Sequence, residues 1–132
     1  GLMTPVKEYG SNFSAGQRQM LCLARALLRE TKIVCLDEAT ASVDNESDLL
    51  MQKVISQEFK DKTVLTIAHR INTIIESNKV LCMSSGKVLS YDTPAKLLED
   101  PSSIFAQLVL ETGEASAKNL KQRANKKFLE KQ

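Results

Sequence analysis

Two adjacent carboxylates, Asp37 and Glu38, close the apolar run Ile33-Val34-Cys35-Leu36. A run of this length, β-branched at its start, predicts a strand buried on both faces. Such a strand tolerates a pair of acids only where it ends. The carboxyl end of a parallel strand faces the crevice in which α/β sheets take ligands. Side chains alternate along a strand, so the two carboxylates point different ways and can do different chemistry. One can position a hydrated Mg²⁺, which prefers carboxylate and water oxygens. The other can polarise an attacking water as a general base. A turn or a helix cap is the plain alternative for the same two residues.

A second group suits anions. Ser14 is a good helix N-cap, and Gln17 three residues on completes a capping-box pattern. Gly16, in the first turn, lets another molecule approach the backbone. The unbonded amides and the positive end of the helix dipole there favour negative charge. Capping alone would also account for Ser14 and Gln17. The third candidate is His69, the only histidine. It stands just past the apolar run Thr63–Ala68, and a histidine at a ligand-binding edge can contact a phosphate or orient a water.

These groups need elements to carry them. Met20, Leu23, Ala24, Leu27 and Leu28 form a helical stripe after Ser14. Arg18, Cys22, Arg25 and Arg29 fall on the other side, as a solvated face would. A strand over 33–37 follows, then a loop through Asp44. Next comes a helix capped by Asp44 or Asn45, with Leu50, Met51, Val54, Ile55 and Phe59 on one face. Residues 63–68 form the second strand. Strand–helix–strand order makes the two strands parallel, which brings His69 to the same edge as Asp37 and Glu38. A short helix over about 70–76 precedes a hairpin, 79–84 with 87–91, turning at Ser85-Gly86. Thr93-Pro94 and Asp100-Pro101 each open a helix with proline at its first position. Ile104, Phe105, Leu108 and Val109 give the last helix its apolar side, and Gly113 closes it. Residues 114–132 are rich in lysine and read as a basic, solvated, partly disordered tail; contact with an acidic membrane surface or a partner is the sharper alternative.

Composition narrows the field. At 132 residues with 42% hydrophobic and 26% charged content, the chain suits one small soluble domain. A net charge of +2 is too small to argue for nucleic acid, and no apolar run is long enough to span a bilayer. Cys22, Cys35 and Cys82 lie in apolar segments, as buried reduced thiols would.

The motifs together resemble a known family. Phe13-Ser14-Ala15-Gly16-Gln17 is similar to the L-S-G-G-Q signature of ATP-binding cassette (ABC) ATPases, and Ile33–Glu38 to their Walker B strand with its glutamate. Ala41-Ser42-Val43-Asp44 looks like the D-loop, and Ile67-Ala68-His69-Arg70 like the segment of the switch histidine. The wording is most similar to the second nucleotide-binding domain of the multidrug-resistance-associated, or C-subfamily, exporters.

The resemblance implies an α/β fold. Its parts are a partial RecA-like P-loop NTPase core of parallel strands and flanking helices, the signature-helix part of the helical subdomain, and a C-terminal hairpin and helices. It makes residues 1–113 the C-terminal half of an ABC ATPase domain and 114–132 a basic tail. It also implies ATP and Mg²⁺ as cofactors. Ser14, Gly16 and Gln17 would grip the γ-phosphate of an ATP held by a second nucleotide-binding domain in a head-to-tail dimer. Asp37 would hold Mg²⁺ through water, Glu38 would activate the attacking water, and His69 would contact the γ-phosphate. Asp44 would link the two composite sites. The implied partners are that second domain and the transmembrane domains of an exporter, with no nucleic acid, at the cytoplasmic face of a membrane.

Three departures from the family pattern stand out. Phe13 and Ala15 replace the usual leucine and first glycine, Ser90 stands where related exporters often carry glutamate, and no G-x-x-x-x-G-K-[ST] loop occurs in these residues. The expectation is therefore a fragment that hydrolyses no ATP alone and is aggregation-prone. A chromosomal or translation-factor ABC ATPase, and a non-enzymatic truncated interaction fragment, are the alternative readings.

Overall fold

The computed structural model describes residues 1, 3–39, 43–68 and 70–129. They fall into two compact units, residues 1–68 and 69–132, each with its own hydrophobic core.

The first unit begins with an irregular segment holding a short 3-10 turn, Glu8–Gly10. Helix α1, Ala15–Leu27, follows with Ser14 as its N-cap. Strand β1 is Ile33–Asp37, helix α2 is Asn45–Glu58 and strand β2 is Thr63–Ile67. The strands pair in parallel, Ile33 opposite Thr63 through Asp37 opposite Ile67. Val34, Leu36 and Val64 pack with Leu23 of α1 and with Met51 and Phe59 around α2. Both helices thus cover one sheet face. The helical stripe is real but shorter than expected: Leu28 caps α1 in solvent, 87% exposed, because the helix ends one residue before it.

Among the described residues of this unit, none covers the other face of this sheet. Ile33 is 59%, Leu65 57% and Ile67 65% exposed. The expectation that β1 is buried on both faces is corrected: only Val34 and Leu36 turn inward, and the sheet is two strands wide. The cysteine expectation fails for a related reason. Cys35 lies on the bare face and Cys22 on the outer side of α1, so both are exposed, while Cys82 is half-buried.

The second unit has helix α3, Ile71–Ile74, then strands β3, Val80–Ser84, and β4, Lys87–Asp92, paired antiparallel. Ser85 and Gly86 both take positive φ, 48° and 74°, as a tight two-residue hairpin turn requires. Helix α4, Pro94–Leu97, is capped by Thr93. Helix α5, Ile104–Glu111, is capped by Ser103, so Asp100-Pro101 forms a turn ahead of the helix and does not open it. Helix α6, Glu114–Leu129, replaces the expected solvated tail. Ala117, Leu120 and Ala124 are buried with Ile75, Val80, Leu97, Phe105 and Val109, so burial of apolar surface stabilises a segment whose composition alone reads as disordered. Arg123 fastens it further, its Nε 2.7 Å from Glu76 Oε1 and its Nη1 3.0 Å from Asn72 Oδ1.

Candidate functional site

The tip of α1 is built by reciprocal capping. Ser14 Oγ accepts from the Gln17 amide at 3.1 Å, and Gln17 Oε1 accepts from the Ser14 amide at 2.9 Å. Both capping atoms act as acceptors. The Ser14 hydroxyl proton and the Gln17 side-chain NH₂ are therefore left to donate, the polarity an anion needs. Ala15 and Gly16 occupy the first two helical positions, where backbone amides have no acceptor within the helix. Capping and anion binding are thus compatible at Ser14, Gly16 and Gln17.

The strand edge holds the carboxylates. Asp37 is the exposed last residue of β1, opposite Ile67. Glu38 continues the ladder through its amide, which donates to Ile67 O at 2.9 Å, but its φ of 46° takes it out of the strand. The simple alternation expected for the acid pair therefore stops at Asp37. Glu38 is directed by a left-handed backbone, a conformation that costs a side-chain-bearing residue about 1 kcal/mol or more and recurs at functional sites. Asp37 offers Mg²⁺ one exposed carboxylate. Among the described residues no cluster of three or more His, Cys, Asp or Glu could hold a metal. A single carboxylate fits a cation that keeps several waters in its coordination shell, not an all-protein cage.

Asp44 caps α2, its Oδ2 accepting from the Ser47 amide at 2.9 Å. The Ser47 hydrogen bonds hold its carboxyl below the ordinary 3.8. This resolves the choice between Asp44 and Asn45 as the cap in favour of Asp44. Residues 40–42, which include the first two of the D-loop-like segment, and His69 lie outside the described residues. The parallel pairing expected of the two strands is observed, with Asp37 beside Ile67, while His69 lies outside the described residues.

Sequence reasoning passed over Arg18, placing it on a solvated face. It is exposed, yet its Nη1 donates to Phe13 O at 2.8 Å and to Gly10 O at 3.4 Å. The readable signal was an arginine one turn into a helix that follows a glycine-containing loop.

Comparison with known proteins agrees with this geometry. The family profile described as "ABC transporter" matches residues 2–41, which hold the α1 tip and both acids. The rice protein "ABC transporter C family member 13" is 60% identical over 110 residues, covering 83% of this chain and 7% of that protein. The "Vacuolar heme ABC transmembrane exporter abc3" of Schizosaccharomyces pombe is 52% identical over 113 residues, covering 86% of this chain and 8% of its own length. The chain thus spans less than a tenth of the length of these relatives. Among solved structures, "Structure of a bacterial Atm1-family ABC exporter with ATP bound" superposes with a TM-score of 0.77 at 26% identity, over 84% of this chain and 20% of that one. The capped helix tip, the acid-ended parallel strand and this level of identity place the chain in the ABC transporter family, with C-family members among its kin.

Proposed function

We propose that this chain is part of an ATPase domain that powers export across a membrane, with a site shared between two nucleotide-binding domains. Residues 1–113 are read as the C-terminal half of such a domain and 114–132 as an appended basic segment. The observation that carries the reading is the α1 tip, where the reciprocal capping box of Ser14 and Gln17 uses their acceptors and leaves the Ser14 hydroxyl, the Gln17 side-chain NH₂ and the Gly16 amide as donors at one helix end. A group presented this way suits the γ-phosphate of ATP held by an opposing domain.

Asp37 is assigned to hold Mg²⁺ through water, and Glu38 to take the proton of the attacking water. His69 is assigned to the γ-phosphate, and Asp44 to the contact between the two sites. When bound, Mg²⁺ would neutralise charge on the phosphates. Most of the grip on ATP in such enzymes comes from a phosphate loop. The 132 residues hold no sequence of that pattern, so hydrolysis is assigned to the complete assembly and not to this chain by itself. The second domain and the transmembrane domains are the proposed partners, at the cytoplasmic face. Among the described residues no helix is long and apolar enough to cross a membrane.

The test is a chimera: the rice relative with its matching 110 residues replaced by this sequence. ATP-dependent phosphate release is expected to persist. Glu38→Gln should reduce it at least a hundredfold, about the scale of a lost general base, while ATP binding is retained. Turnover unchanged by Glu38→Gln would remove the base assignment.

A further inference from the structure

The loop that leads into α1 is unusually shaped and is held by two side chains, Asn12 and Arg18. Tyr9 and Gly10 take left-handed backbone angles in succession, φ 55° and 63°. The chain then folds back, with the Gly10 amide on Lys7 O at 2.8 Å and the Phe13 amide on Gly10 O at 2.9 Å. Asn12 ties the base of the loop, accepting from the Lys7 amide and donating to Pro5 O, both at 3.0 Å. The stem of Arg18 crosses Gly10 so closely that a Cβ there would lie 3.2 Å from Arg18 Cδ. Its guanidinium reaches the carbonyls of Gly10 and Phe13, the latter immediately before the Ser14 cap.

Arginine in the first turn is a poor choice for the helix alone, since a cation there opposes the helix dipole. It is a good choice for gathering two backbone carbonyls, because the guanidinium presents several donors in a fixed plane. We infer that Arg18 is a positioning residue: it clamps the loop 10–13 to α1 and so fixes the entry angle at which Ser14, Gly16 and Gln17 are presented to a phosphate. The inference rests on the proposed phosphate-gripping role of that tip. Gly10 is the other half of the device. A side chain at this position meets both a left-handed φ and the Arg18 stem.

Two variants separate the parts of Arg18. Arg18→Met keeps an apolar stem over Gly10 and loses both hydrogen bonds that Nη1 donates; Arg18→Lys keeps a charged donor. In the full chain, amide hydrogen exchange at Gly10 and Phe13 should rise about tenfold in Arg18→Met, the scale of one lost charge-assisted hydrogen bond. It should rise less in Arg18→Lys, while amides in the middle of α1 are unchanged. In the chimera described above, Arg18→Met should lower kcat about tenfold and leave KM for ATP within about twofold. That split is expected when a transition-state contact is misplaced and the ground-state grip lies elsewhere. Arg18→Lys should restore part of kcat.

Unchanged exchange at Gly10 and Phe13 overturns the clamp. Faster exchange with unchanged kcat overturns the positioning role. If Glu38→Gln stops turnover in the same chimera and Arg18→Met does not, only this inference fails. If neither variant affects turnover, the nucleotide reading fails and takes the inference with it.

Discussion

At the scale of single residues, one polar atom often serves two ends. Ser14 and Gln17 satisfy each other as cap and counter-cap and still retain donors for a ligand. Asp44 caps α2 through Ser47, and that bond favours its ionised form. Because its folded pKa lies below 3.8, its contribution to stability is complete above the ordinary value and disappears as pH falls through the lowered one. Asp44→Asn keeps an oxygen that can cap but cannot titrate. The variant is therefore expected to melt slightly below the parent near neutrality, where the parent's cap is ionised. Any deficit should vanish as the pH is lowered below about 4. Circular-dichroism melts from about pH 2 to about pH 7, which spans the carboxylate pKa values, check this. A deficit that grows on acidification would show that the Ser47 bond does not favour the charged carboxylate.

At the scale of elements, α6 is the clearest case of packing overriding composition. Lys118, Lys121 and Lys126 face solvent and Lys127 is half-buried, while Ala117, Leu120 and Ala124 close the core of the second unit. Leu120, 1% exposed, sits among Phe105, Val109 and Ile75 in that core. Leu120→Ala should destabilise this unit by about 2–5 kcal/mol, the cost of an unfilled cavity after a large-to-small core change. Lys121→Ala on the exposed side should change stability by less than about 0.5 kcal/mol. Urea unfolding of the two variants measures the contrast. Equal small effects would mean that α6 is only loosely attached.

At the scale of the whole molecule, the described residues leave much apolar sheet surface in water. Ile33, Leu65 and Ile67 are exposed on the parallel pair, and Leu81, Met83, Val88, Leu89 and Tyr91 on the hairpin. Unpaired strand edges beside bare apolar faces promote association between chains. Sedimentation of the isolated chain should show self-association rising with concentration, reduced in the double variant Leu65→Lys and Ile67→Lys. A monomer at every concentration would overturn this expectation.

The local signals sufficed for much of this protein. Ser14 and Gln17 announced a capping box, Ser85-Gly86 a hairpin, and the apolar run closed by Asp37 a strand. Each depends on neighbours within a few residues, so sequence alone determined it. Three other features depend on what lies across space, and only the tertiary structure decided them. Whether Ile33 and Cys35 are covered depends on elements packed against that face. Whether the lysine-rich segment folds depends on the core that receives Leu120. Whether Arg18 is free or engaged depends on a loop whose left-handed turn at Tyr9 and Gly10 brings two carbonyls within its reach. Periodicity records which side of an element is apolar; it does not record what stands opposite that side.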